Sequence, residues 1–179
     1  YSHDASLFEI KPEIVVHPKG SNDVKTLVRA VLKARPENPK LSITARSAGT
    51  DMSGGAINES IIADFTTHFD KIINLNKTSA RVQPGVYYRD FEKESLAVDA
   101  LLPSYPASKD LCTIGGMVNN NSGGEKSLEF GKTDNFVKEL KVVLSDGNEY
   151  TVKPLGRKEL ETKMKQDNFE GELYKKTFE

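Results

Sequence analysis

Two glycine-bearing segments carry the residue types best suited to hold an anionic or planar ligand. The first is Arg46-Ser47-Ala48-Gly49-Thr50-Asp51-Met52-Ser53-Gly54-Gly55, placed directly after a predicted strand. Its glycines admit positive φ and let a ligand approach the bare backbone. Successive peptide N–H groups in such a loop can turn inward as a nest for an anion, with the hydroxyls of Ser47, Thr50 and Ser53 as further donors. An exposed loop that simply needs flexible turns has the same composition. The second segment runs from Leu102-Pro103-Ser104-Tyr105-Pro106-Ala107-Ser108 into Thr113-Ile114-Gly115-Gly116-Met117-Val118-Asn119-Asn120-Asn121-Ser122-Gly123-Gly124. Paired glycines around three asparagines read as a poor core and a costly loop, because glycine loses the most backbone entropy on ordering. A chain that carries this twice reads as keeping its backbone bare for a planar or phosphorylated ligand. The competing reading is a long irregular surface loop.

Other motifs fall away. Gly131-Lys132-Thr133 has the tail of a phosphate-binding P-loop, but Lys126 stands where that motif needs glycine. No G-x-G-x-x-G occurs. His3, His17 and His68 lack metal-ligand spacing and read as surface or turn residues. Cys112 has only Lys109 as a nearby cation and reads as a buried, inert thiol. The sequons at Asn58, Asn76 and Asn120 read as chance matches. No Ser/His/Asp set or carboxylate pair stands out, so neither catalytic nor metal-binding residues are assigned.

The elements that position these segments follow from periodicity. Ile14-Val15-Val16-His17 is a short strand closed by Pro18-Lys19-Gly20. A helix capped by Ser21 or Asn22 places Val24, Leu27, Val28, Val31 and Leu32 on one stripe and stops at Pro36. Leu41–Ala45 is the next strand, so 14–45 reads as a β-α-β unit with parallel pairing. Ile61–Phe65 is a further strand. Beyond it the texture changes to short strands at 72–75 and 81–86, a helix at about 87–98, and a hairpin with Asp146-Gly147 at its turn. Arg157–Glu179 is charged and helix-prone.

Composition sets the outer bounds. The 179 residues fit one domain or two small subdomains sharing a core. With 37% apolar and 28% charged residues, the chain is neither collagenous nor disordered. Apolar runs of three to five residues cannot span a bilayer as a helix. A net charge of −1 offers no electrostatic footprint for nucleic acid. A single cysteine excludes an internal disulfide and favours a reducing compartment, so the expected location is cytoplasmic, with peripheral inner-membrane attachment of a whole protein as the alternative. Without an initiating Met or a leader, the chain reads as a piece of a longer protein.

In order along the chain, Arg46-Ser47-Ala48-Gly49-Thr50-x-x-Ser53-Gly54-Gly55, Pro106-x-Ser108, Thr113-Ile114-Gly115-Gly116, Asn119-Asn120-x-Ser122-Gly123-Gly124 and Phe130-Gly131-Lys132-Thr133 form a combined pattern. Tyr1-x-x-Asp4-Ala5-Ser6 and Val142-Val143-Leu144-Ser145-Asp146-Gly147 extend it. The whole resembles the FAD-binding domain of the vanillyl-alcohol oxidase / p-cresol methylhydroxylase (PCMH-type) superfamily, in its D-lactate dehydrogenase and glycolate oxidase branch. That resemblance implies an α+β fold of two subdomains, one β-α-β-based and one with a mixed or antiparallel sheet, gripping FAD between them. The corresponding division is 1–65, 66–153 and a helical connection at 154–179 leading to a separate cap domain. Carried over residue by residue, Arg46 belongs to the first cofactor loop, and Ser47, Ala48, Gly49, Thr50, Asp51 and Met52 wrap the pyrophosphate. Pro106, Ser108, Thr113, Gly115 and Gly116 line the ribityl–isoalloxazine run. Asn119, Asn120, Gly123 and Gly124 hold the inner side of the dinucleotide, and Val142 lies by the adenine.

The same resemblance implies hydride transfer from a D-2-hydroxy acid such as lactate or glycolate to FAD, with substrate-binding residues beyond Glu179. The family's loop usually reads Arg-Gly-Gly-Gly-Thr. Ala48 at a position wanting positive φ therefore carries an expected cost of about 1 kcal/mol. No His or Cys occupies the tethering positions, so the expected FAD is non-covalent. Two other readings stay open: a nucleotide-binding module without redox activity, and the flavin domain of a reductase with another substrate.

Overall fold

A computed structural model describes residues 1–178. The β-branched runs predicted as strands build a three-stranded parallel sheet from β1 (Ile14–Val16), β2 (Ile43–Arg46) and β3 (Ile61–Asp64). Its order is β1-β3-β2, so β3 pairs in parallel with both neighbours, through Ile14↔Ile61 on one side and Arg46↔Asp64 on the other. The expected β-α-β unit is present, but its strands do not pair with each other. Every residue of β3 is buried, and burial on both faces requires the near-continuous apolar run of a central strand.

Helix α1 (Ser21–Ala34) joins β1 to β2. Its predicted stripe is half-buried at Val24, Leu27, Val28 and Val31, but Leu32 points to solvent. The cap is Gly20, in extended conformation, and neither Ser21 nor Asn22 takes that role. Gly20 accepts the Asp23 N–H, while the Asp23 carboxylate accepts the Lys19 N–H at 2.8 Å. On the far side Arg29 donates to Asn148 Oδ1 at 2.7 Å, tying α1 to the later hairpin.

From residue 66 onward the strands form two antiparallel hairpins, β4 (Ile72–Asn76) with β5 (Ser79–Val82) and β6 (Leu140–Val143) with β7 (Glu149–Val152). β5 starts and ends earlier than its apolar residues indicate, because Asn76 Oδ1 accepts the N–H groups of Thr78 and Ser79 and folds the chain back there. The Asp146-Gly147 turn forms as expected, with Gly147 at φ +75.

A second core gathers Val86, Tyr88, Phe91, Tyr105, Cys112, Ile114 and Met117 beneath α2 (Tyr88–Ala97). The fully buried Tyr88 places its hydroxyl 2.8 Å from the Leu102 carbonyl. Burial pushes the Cys112 thiol up to about 11, so this cysteine is a buried thiol held protonated.

Much of the second glycine segment is regular structure. Helix α3 (Ile114–Asn119) buries Ile114 and Met117, and α4 (Ser127–Phe130) follows, so the expectation of a poor core does not hold. The C-terminal stretch divides into α5 (Arg157–Met164) and α6 (Phe169–Phe178). The break follows from Asn168, whose Oδ1 caps Gly171 N–H at 2.8 Å, and the two helices are joined by Lys163 and the buried Glu170. No helix among the described residues is long and apolar enough to cross a membrane.

Candidate functional site

The carboxyl ends of β2 and β3 lie side by side, and the 47–55 loop leaves from the first. Open parallel sheets hold ligands in the crevice beyond such strand ends. Among the described residues, the backbone N–H groups from Ser47 through Met52 meet no acceptor of the protein. Unpaired donors in a half-buried loop need an outside acceptor, and an anion supplies one.

The left-handed turn of this loop falls on Gly49, at φ +70, and again on Gly54. Ala48 lies outside the left-handed region, so the expected strain at that position is absent. Arg46 lays its guanidinium against Gly49 but directs its hydrogen bonds outside the loop. It donates to the carbonyls of His3 at 2.7 Å and Ala56 at 3.0 Å, and more weakly to that of Tyr1 at 3.3 Å. Asp51 closes the loop from below: its carboxylate accepts the Ser53 N–H and hydroxyl and the Gly55 N–H. Those donors, led by the Ser53 hydroxyl, hold its carboxyl below the ordinary carboxylate value. Met52 is exposed, and Thr50 is half-buried within the loop.

Helix α3 brings the second segment to the first. The fully buried Thr113 caps it, its hydroxyl accepting the Gly116 N–H at 3.2 Å. A methyl group at Gly116 would meet Ser47 at 3.5 Å, which places the opening turn of α3 against the start of the loop. Gly115 has a different reason. Its N–H donates to the Pro84 carbonyl at 2.8 Å, and a side chain there would collide with Pro84. Gly124 packs likewise on the Tyr105 carbonyl. Both are bare for internal packing, which corrects the expectation that a ligand alone explains them.

Beyond α3, Pro106, Asn120, Ser122, Gly123, Gly124 and Lys132 border a cleft of about 430 Å³. Asn119 is exposed at the end of α3. The Ser108 carbonyl takes the N–H groups of Leu111 and Cys112, turning the chain toward α3. Val142 sits in β6 opposite Tyr150, outside both stretches. Sequence reasoning passed over Lys132 and Ser127 at the cleft, although Lys132 stands in the Phe130-Gly131-Lys132-Thr133 motif. It also passed over Asp64, whose place at the end of a wholly apolar run was the available signal.

Replacing Thr113 by valine deletes the cap while keeping the shape. The expected result is a loss of about 1–2 kcal/mol, read by denaturant unfolding with an unchanged slope. An unchanged midpoint counts against the capping role.

The arrangement fits a dinucleotide cofactor: free amides where a diphosphate would lie, a bare Gly116 facing them, and an adjoining cleft edged by Lys132. The family described as FAD binding domain matches residues 12–153. The chain is 29% identical to the D-2-hydroxyglutarate dehydrogenase of Escherichia coli (strain K12) over 180 residues, covering 99% of this chain and 18% of that protein. It is 30% identical to glycolate oxidase subunit GlcD of Bacillus subtilis (strain 168) over 152 residues, covering 83% of this chain and 31% of that one. The chain thus spans a minor part of the length of these relatives. Among solved structures, 6-hydroxy-D-nicotine oxidase from Arthrobacter nicotinovorans superposes with a TM-score of 0.73 at 20% identity, over 89% of this chain and 34% of that one. With its matched region, residues 12–153, spanning both glycine segments, this chain belongs to the FAD binding domain family.

Proposed function

We propose that this chain is the cofactor-holding part of a flavin-linked dehydrogenase or oxidase that acts on a D-2-hydroxy acid. The observation that carries the reading is the run of unpaired amides from Ser47 to Met52, with the opening turn of α3 at Gly116 packed beside Ser47. Peptide dipoles and the hydroxyls of Ser47 and Thr50 meet the diphosphate there, a role that needs no cluster of cations. Pro106, Asn120, Gly123 and Gly124 border the continuation of the site, and Lys132 adds the one charge among the residues lining that cleft. Arg46, Asp51 and Thr113 hold the two stretches in place. When bound, FAD supplies the hydride acceptor for oxidation of an alcohol carbon. The names of the two relatives support a 2-hydroxy acid as the substrate class.

Residues 1–65 and 66–153 act as the two subdomains in this reading, with 154–179 leading toward the substrate-binding part. The cofactor is held without a covalent bond: the buried Cys112 thiol is kept protonated, unsuited to attack on a ring. A single cysteine suits a reducing, cytoplasmic setting.

Titration with FAD is expected to quench flavin fluorescence to saturation. Acid precipitation of the loaded protein is expected to leave the yellow colour in the supernatant. Absence of quenching overturns the cofactor assignment, and colour retained in the pellet overturns the non-covalent one.

A further inference from the structure

The amides of Ser47–Met52 have no internal partners, so other contacts must hold the loop in shape. Ser53 and Gly55 hold the Asp51 carboxylate from within the loop, and the first five residues hold the Asp51 carbonyl and the neighbouring Arg46 from outside it. Ala5 donates its N–H to the Asp51 carbonyl at 3.0 Å. The carbonyls of Tyr1 and His3 receive the Arg46 guanidinium, which also lies 5.5 Å from the centre of the Tyr1 ring. Gly49 packs directly on that guanidinium. The Tyr1 hydroxyl donates to Asp64 Oδ2 at 2.6 Å, at the end of the central strand.

Asp64 is 4% exposed, and its second oxygen accepts the N–H and hydroxyl of Thr66, both at 2.6 Å. Burial pushes its carboxyl up, but the hydrogen bonds from Thr66 and Tyr1 outweigh that and leave it below the ordinary value. The same contact, aided by burial, raises the Tyr1 hydroxyl to about 12, which keeps it a donor. His17 Nδ1 stands 4.0 Å from the same carboxylate and is engaged by the Thr67 hydroxyl at 3.0 Å. These contacts run from the buried strand end, through Tyr1 and Arg46, to the turn at Gly49.

We propose that residues 1–5 are a strap that sets the diphosphate-binding amides, with the Tyr1–Asp64 hydrogen bond as its lock. Tyr1 and Asp64 are positioning residues: they act on the ligand through Arg46 and the loop. The proposal rests on the FAD reading above. It accounts for a buried aspartate and an arginine that the cradle itself does not use.

Tyr1→Phe removes only the phenolic oxygen from a half-exposed ring, so folding is not at risk. The expected Kd for FAD rises about tenfold, while that for riboflavin, which has no diphosphate, stays within about twofold. Asp64→Asn is expected to give the larger loss of FAD affinity with the same indifference to riboflavin. Equal weakening toward both ligands, or none toward FAD, overturns the strap. A second measurement does not depend on the cofactor: in ligand-free protein, the amide NMR resonances of Ser47–Met52 are expected to move in Tyr1→Phe. Unmoved resonances overturn the strap. If they move while the wild-type protein fails to bind FAD, the strap stands and the proposed function falls.

Discussion

Valine at Gly115 is expected to destabilise the protein by roughly 3 kcal/mol and to abolish FAD binding under ordinary assay conditions. A side chain built there lies 2.7 Å from the Pro84 carbonyl oxygen and 2.8 Å from its Cα, and both belong to main chain that cannot step aside. The Gly115 N–H also donates to that carbonyl, so relieving the clash breaks the bond that docks α3 onto the second core. Its neighbour gives the opposite outcome. At Gly116 an added methyl meets only ordinary contacts at 3.5 Å, and alanine is about 1 kcal/mol better than glycine inside a helix. Gly116→Ala should therefore melt at or above the wild-type temperature yet bind FAD more weakly, because its methyl lies 3.5 Å from Ser47, at the start of the unpaired amides. Thermal melts and flavin titrations of the two variants check the pair. A Gly115→Val protein as stable as wild type defeats the packing argument, and a Gly116→Ala protein with full affinity removes Gly116 from the site.

The second large effect is expected at Gly49. Its φ of +70 costs an L-residue about 1–2 kcal/mol, and a β-branched residue more. A side chain there also lies 2.8 Å from Arg46 Cζ, so valine would lever the guanidinium off the carbonyls of His3 and Ala56. Gly49→Val should weaken FAD binding by at least about thirtyfold, equivalent to ~2 kcal/mol, with a circular dichroism spectrum like that of wild type. Alanine should fall between the two. Wild-type affinity in Gly49→Val would refute the role of this turn in shaping the loop.

The elements were legible where one physical signal dominated. The stripe on α1, the apolar run of β3 and the Asp-Gly turn between β6 and β7 each appear close to where their spacing puts them. The order of the sheet was not legible, because three short apolar strands look alike in sequence and only the complete burial of 61–64 marks the middle one. Helix α3 was hidden by its own glycines, which suggest a loop to any propensity argument. Their true reason is a close approach to Pro84 from far along the chain, which no local window contains. Ala48 differs from expectation for a related cause: the pattern of glycines shows that a positive φ is needed, but not that Gly49 bears it. The loop itself is legible because its composition and its chemistry coincide. Arg46 is legible as part of the loop, but its direction is not, since the carbonyls it serves belong to residues 1, 3 and 56.

The position of β3 between β1 and β2 also bears on the route by which the chain folds. Neither earlier strand has a partner in the sheet until Ile61–Asp64 has been made, so the nascent polypeptide holds two unmatched apolar segments through the synthesis of the whole intervening helix and loop. Pairing at such long sequence separation closes slowly and leaves edges open to foreign strands. Asp64 ends the strand that completes the sheet and also accepts the Tyr1 hydroxyl, so Tyr1 is captured only as the sheet is completed. Truncations that stop short of residue 64 should therefore yield aggregating polypeptide rather than a smaller folded unit.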